Sequence, residues 1–249
     1  MHSKVVFVLF ILILPSSVLA DDQTRGFSFP ASLKLTTNYL ARGVSQTKRG
    51  PALQGRVDAR HSSGFYAGLW ASNVDFPDKS DAWMELDSFI GFTKALGHGV
   101  IVDMALVHYE YPGVDNALEY DFEDAILGVI VARKTFTFST YYYYAPDYAG
   151  SKTDQSYHYF LNNFFIPLPE QFQLGGTFGH SEGEIFENPW GLPESYSHWQ
   201  VTLSRPWLGV DWELAMSSAN SQGQRWFTNR AKEGVSLSIT KSFSLGENL

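Results

Sequence analysis

The chain has 249 residues, no cysteine, 16% aromatic and 18% charged residues, where an average soluble domain carries about 25% charged residues. Its formal charge of −8 excludes the basic face that a nucleic-acid partner requires. The composition also excludes a disordered chain, a collagen-like repeat and a disulfide-stapled scaffold.

The first predicted element is a targeting segment. Lys4 precedes an apolar run over residues 5–14, and Pro15-Ser16-Ser17 leads into Val18-Leu19-Ala20, which ends as a signal-peptidase site ends. That run is too short for a membrane helix, which needs about 20 residues. Residues 1–20 therefore read as a cleaved signal peptide and residues 21–249 as one exported domain.

Beyond residue 20 the dominant period is two, the signature of strands with two unlike faces. Over residues 32–42, Leu33, Leu35, Thr37 and Tyr39 share one face and Lys34, Thr36 and Asn38 the other. Over 51–61, Gln54, Arg56, Asp58 and Arg60 alternate with Leu53, Gly55, Val57 and Ala59. A segment at 65–74 follows. Over 83–95, Glu85 and Asp87 alternate with Met84, Leu86, Ser88, Ile90 and Phe92, and over 99–111 Asp103 stands opposite Val102, Met104 and Leu106. Further segments fall at 120–132, 135–145, 157–166, 171–180 and 197–205. Over 208–218, Leu208, Val210, Trp212, Leu214 and Met216 make an apolar face against Asp211 and Glu213, and a last segment covers 234–243.

The connections alternate in length. Those at 62–64, 97–98, 133–134, 167–170 and 206–207 are short; those at 43–50, 75–82, 112–119, 146–156, 181–196 and 220–233 are long. Short turns on one rim and long loops on the other predict an all-β fold: a transmembrane antiparallel up-and-down β-barrel of about twelve strands, with short periplasmic turns and long extracellular loops. A soluble meander has no reason to segregate loop length, and its apolar side would face inward. Aromatics near strand ends read as the two interfacial girdles of such a barrel: Trp83, Tyr109, Tyr111, residues 141–144, Tyr157, Tyr159, Phe164, Phe165, Trp190, Trp199, Trp207, Trp226 and Phe227.

Charges on the face opposite the aliphatic one split by sign along the chain. Lys34, Arg42, Arg56 and Arg60 lie on the first two segments; Glu85, Asp87, Asp103, Asp211 and Glu213 lie on later ones. In a dry core each would cost several kcal/mol unless paired, and a hydrated lumen removes that cost. The expectation is a pore lined by these nine residues, a basic wall facing an acidic one, passing small hydrophilic solutes by diffusion. The alternative is a narrow lumen closed by paired charges. Its long loops, above all 181–196 with Pro189, Trp190 and Pro193, would then bind an external ligand or mediate adhesion.

Other constellations carry less. His180-Ser181, and His198 beside Ser197, invite a nucleophile reading, but no nucleophile elbow of the G-x-S-x-G kind and no enzyme are expected. Asp75, Asp78 and Asp81 lack the order of an EF-hand and read as a solvated acidic loop. No metal or cofactor is expected.

Several longer motifs add a resemblance. Asn38-Tyr39-Leu40-Ala41-Arg42-Gly43-Val44-Ser45-Gln46-Thr47 is followed by Pro51-Ala52-Leu53-Gln54-Gly55, by Ser63-Gly64-Phe65-Tyr66-Ala67-Gly68 with Trp70, and by Ser72-Asn73-Val74-Asp75-Phe76. Together with Glu85-Leu86-Asp87, Gly91 and Ala145-Pro146-Asp147-Tyr148, they resemble the TorF family of proteobacterial porins, most closely over residues 36–92. The resemblance implies a barrel in the cell outer membrane of a Gram-negative bacterium. Its partners would be outer-membrane lipids, the barrel-insertion machinery and a small hydrophilic solute. Such barrels commonly finish on an aromatic residue, whereas here Phe243 is followed by residues 244–249. Either the insertion signal is internal, or the last strand ends at Phe243 with a short tail behind it.

Overall fold

A strand that is apolar on alternate residues presents one oily face and a row of unpaired N–H and C=O groups on each edge. Closing an antiparallel sheet on itself satisfies every edge. The computed structural model, which describes residues 26–77, 81–114, 120–148, 155–186 and 195–245, shows that closure. The predicted signal segment, Asp78, Pro189, Trp190 and Pro193 lie outside the described residues.

Strand β1 (Phe27–Thr36) is followed by a separate small hairpin, β2 (Leu40–Ala41) and β3 (Val44–Ser45). The barrel continues with β4 (Ala52–His61), β5 (Phe65–Asn73), β6 (Met84–Gly97), β7 (Val100–Glu110), β8 (Phe122–Ala132), β9 (Thr137–Ala145), β10 (Tyr157–Pro167), β11 (Gln173–Gly183), β12 (Ser195–Trp207), β13 (Val210–Ala219) and β14 (Gly234–Leu245). Each barrel strand is antiparallel to its neighbours. β1 closes the ring by pairing with β4 on one side, Thr36 opposite Ala52, and with β14 on the other, Thr36 opposite Ser238. Before β14 comes one short helix, α1 (Ser221–Phe227), capped where the Asn220 side chain accepts the Gly223 N–H at 3.0 Å.

The predicted loop alternation holds. Connections 62–64, 98–99, 133–136, 168–172 and 208–209 gather at one end with both termini of the barrel, and the long ones gather at the other. The predicted faces hold as well. Leu33, Leu35, Leu53, Ile90, Leu106, Leu127, Val201 and Leu214 stand exposed on the outside, while Gln54, Asp58, Glu85, Asp87, Asp103, Ser139 and Asn163 are buried within.

Three expectations are corrected. The first strand runs over Phe27–Thr36 rather than 32–42, because the alternation breaks at Thr36: its hydroxyl donates to the Asn38 carbonyl at 3.0 Å and turns the chain, so Tyr39 and Arg42 leave the barrel wall and enter its interior. Many of the predicted girdle aromatics also point inward. Trp83, Tyr144, Phe164, Trp199 and Trp207 are exposed, but Tyr109, Tyr141, Tyr143, Tyr157 and Tyr159 are buried on the inward face of their strands, as are Tyr111 and Phe227 outside the strands; being near a strand end is no guide to face, which within a strand parity decides. Finally, β14 passes Phe243 and continues to Leu245, paired with Phe29 of β1.

Candidate functional site

The interior divides into two storeys. Toward the short-turn end the walls are polar. Arg56 Nε and Arg60 Nη2 each donate to the Asp58 carboxylate at 2.8 Å, so the strand β4 carries its own charge triplet. The Tyr66 hydroxyl donates to Asp103 at 2.8 Å, and Lys34 meets Glu213 at 3.4 Å across the intervening β14. The Asn163 amide donates to Ser139 at 3.2 Å and accepts from Thr177 at 3.0 Å. Asp211 lies exposed at the rim.

These positions revise the expected opposition of a basic and an acidic wall. Strands β4 and β6 are separated only by β5, so Arg56 and Arg60 sit beside the acids of β6 and β7 and not across the barrel from them. Chain order says nothing of which strands face one another; ring closure decides it.

The long-loop storey is filled by the first loop. β2 and β3 are joined through Arg42 at φ 48° and Gly43 at φ 79°, both left-handed, the backbone of a two-residue hairpin turn whose twist matches its strands. The Arg42 side chain, with no solvent exposure, donates to the equally buried Asp124 of β8 at 2.5 Å. Its guanidinium carbon lies 4.6 Å from the ring centroid of Tyr157, 4.9 Å from Tyr159, 5.5 Å from Tyr143 and 5.7 Å from Tyr148. A delocalised, weakly hydrated cation suits such a desolvated aromatic cage. The Tyr196 hydroxyl caps the Arg42 carbonyl at 2.8 Å. A Cβ on Gly43 would stand 2.4 Å from the Cβ of His198, so only glycine admits this approach.

Beside the cage lie Glu85 and Asp87, both fully buried on the inward face of β6. The Tyr39 hydroxyl donates to the Glu85 carboxylate, 3.1 and 3.2 Å from its two oxygens. Burial first, and then the charge of Glu85, holds that phenol well above its usual range, so it stays a donor. The loop is pinned at its far side too: Arg230 Nε donates to the Ser45 carbonyl at 2.7 Å, Arg49 donates to the Asn229 carbonyl at 3.2 Å, and Lys48 meets Asp75 at 2.5 Å.

Of the nine residues expected to line a pore, the structure thus puts eight on the inward face of strands and Arg42 in the loop that fills the lumen. Sequence reasoning missed Asp124 and the tyrosines that receive Arg42. Asp124 was visible as the lone acid on the inward face of β8, among Phe122, Ile126 and Ile130, a placement that is costly without a partner.

The histidines pair differently from the sequence expectation. His198 is buried, its Nε2 2.8 Å from the Tyr159 hydroxyl oxygen. On the outer face His180 Nδ1 stands 2.8 Å from Ser197 Oγ, and its Nε2 3.5 Å from Glu182. The expected absence of a G-x-S-x-G spacing is corrected here: Gly179-His180-Ser181-Glu182-Gly183 has it. It lies within β11 and not on a strand-to-helix turn, and Ser181 points inward to accept from Tyr157 at 2.7 Å, so it is no nucleophile elbow. Asp75 is bound to Lys48, and among the described residues no group of three His, Asp or Glu side chains is placed to hold a metal ion.

A bacterial family profile described as "Bacterial protein of unknown function (Gcw_chp)" matches residues 20–243. No curated protein sequence matches the chain. Among solved structures the fold is similar to the NanC porin, at 10% identity and TM-score 0.57, covering 84% of this chain and 97% of that one. It is similar to the KdgM porin at 7% identity and TM-score 0.55, covering 88% and 99%, and to the COG4313 outer membrane channel from Pseudomonas putida F1 at 8% identity and TM-score 0.53, covering 89% and 97%. Identities this low speak to a shared barrel fold.

Proposed function

The chain belongs to the bacterial Gcw_chp family, and from that premise we propose that it is a porin-like channel of the Gram-negative outer membrane, with the first loop as its plug. One observation carries the reading: a closed ring of twelve strands wears its aliphatic residues outside and its charges inside. That inversion suits a lipid surround and a hydrated lumen. The porin folds of its structural neighbours agree with it.

In this reading residues 1–20 direct export and are removed, the barrel-insertion machinery folds residues 21–249 into the membrane, and the long loops face outward. Small hydrophilic solutes diffuse along Lys34, Arg56, Arg60, Glu85, Asp87, Asp103, Asp211 and Glu213, and Arg42 on Asp124 holds the passage closed until the loop moves. Kinship with the TorF porins belongs to the same proposal. The buried Arg42–Asp124 pair favours a second reading, a permanently shut barrel that acts through its loops.

Planar-bilayer recording on the purified protein separates the two. A channel gives discrete conductance steps whose ion selectivity shifts on Arg56→Glu. A barrel without steps, or with selectivity indifferent to that reversal, refutes the solute path described here.

A further inference from the structure

The outer wall, which a channel does not use, holds a second constellation independent of the lumen. His180 and Glu182 stand two residues apart on the outward face of β11, and Ser197 of β12 is the cross-strand partner of His180. Ser197 Oγ is 2.8 Å from His180 Nδ1, and His180 Nε2 is 3.5 Å from Glu182 Oε2. The side chains of His180 and Glu182 are 33% and 47% exposed, open to a reactant at the long-loop rim. Directly below, on the same face, lies an open groove of about 470 Å³ bordered by Phe138, Phe164, Phe178, Trp199 and Val201, with Gly176 leaving its floor bare. Gly176 precedes His180 by four residues on the same strand, so the floor of the groove lies about 13 Å down the wall from the histidine.

We propose that Ser197, His180 and Glu182 form a lipolytic site whose substrate is an acyl ester of a lipid in the leaflet around the long-loop end, its chain lying in the groove. The outward face is where an acyl chain resides, and the near edge of the groove, Phe178 and its cross-strand partner Trp199, lies two residues along the same face from His180 and Ser197.

Ser197 Oγ bonds to the ester carbonyl carbon as its proton passes to His180 Nδ1. The bond from that carbon to the alcohol oxygen breaks, and the departing oxygen takes the proton from His180. A water gives a proton to the same nitrogen as its oxygen bonds to the acyl carbon; the bond from that carbon to Ser197 Oγ breaks, Oγ takes the proton back from His180, and the fatty acid is freed. With Nδ1 facing the serine, the Nε2–H faces the Glu182 carboxylate, which fixes that tautomer and steadies the imidazolium. Ser197 and His180 are the catalytic pair; Glu182 is a positioning residue.

The test uses the full chain purified from membranes. A long-chain alkyl fluorophosphonate should label the wild type and not Ser197→Ala. Fatty-acid release from phospholipid vesicles and from lipopolysaccharide, assayed separately to identify the lipid, should fall at least about 100-fold in Ser197→Ala and His180→Ala. Glu182→Gln should retain part of the activity with a displaced pH profile, which a merely structural loss would not produce. Gly176→Trp, filling the groove, should abolish release of long chains and spare a short-chain ester. Heat-modifiable gel mobility establishes that each variant is folded. An unlabelled wild type, labelling that survives Ser197→Ala, or release unchanged in that variant overturns the proposal and leaves the channel reading untouched.

Discussion

Replacing Arg42 by alanine tests the plug where its energetics are most concentrated. Arg42 and Asp124 are both without solvent exposure, and removing one partner of a buried pair costs about 3–5 kcal/mol because the other charge is left uncompensated. The four ring contacts share the same guanidinium, so their contribution belongs within that figure and is not added to it. The barrel ladders do not pass through the loop, so the cost falls on seating the loop and not on unfolding the barrel. At about 1.4 kcal/mol per factor of ten, the unseated population rises by a factor between about 10² and about 4 × 10³. Hydrogen exchange reads this at the Gln46 amide, which donates to the Tyr39 carbonyl at 2.8 Å within the loop. That amide should exchange faster by the same factor, with strand amides unchanged and single-channel open time increased. Asp124→Asn should act similarly, and the double variant should cost less than the sum of the two. An Arg42→Ala protein whose Gln46 amide exchanges within threefold of wild type, at unaltered conductance, refutes the plug.

Gly43→Ala, which drives a Cβ to 2.4 Å from His198 at a left-handed φ of 79°, should weaken loop seating by at least about 1–3 kcal/mol and speed exchange at the same amide. Gly179→Ala places a Cβ 2.1 Å from His198 Nε2 and 2.6 Å from the Tyr159 hydroxyl; a loss of about 1–3 kcal/mol in urea titration is expected. Leu127→Arg, on the outer face at mid-strand, should destabilise the barrel in lipid by about 2–4 kcal/mol. Lys34→Met, half-exposed and facing Glu213 at 3.4 Å inside, should change stability by about 0–1 kcal/mol. Equal effects at these last two positions would contradict the assignment of faces.

The residue patterns that could be read directly are those that depend on neighbours along the chain. Leu53, Val57 and Ile90 are outward and Gln54, Asp58 and Asp87 inward because parity alone decides the face of a strand. The same parity divides the run over residues 141–144 into an inner pair, Tyr141 and Tyr143, and an outer pair, Tyr142 and Tyr144. What parity does not report is where a strand stops. The alternation over Leu33, Leu35, Thr37 and Tyr39 continues past Thr36, but the backbone does not follow it. The apolar ring of Tyr39 gains more by packing against Trp70, centroid to centroid 5.4 Å, with its hydroxyl on Glu85.

The local alternation of side chains and the lengths of the connections were enough, by themselves, to determine a closed barrel with an inverted surface, because both follow from strand geometry and hydrogen-bond closure. The contents of its interior and the partners of its charges were decided only by the tertiary structure. Arg42 meets Asp124 at a separation of 82 residues, and His180 finds Ser197 and not Ser181. Such contacts arise when ring closure brings distant strands to one height, where a buried charge must find its counterion and a hairpin its cavity.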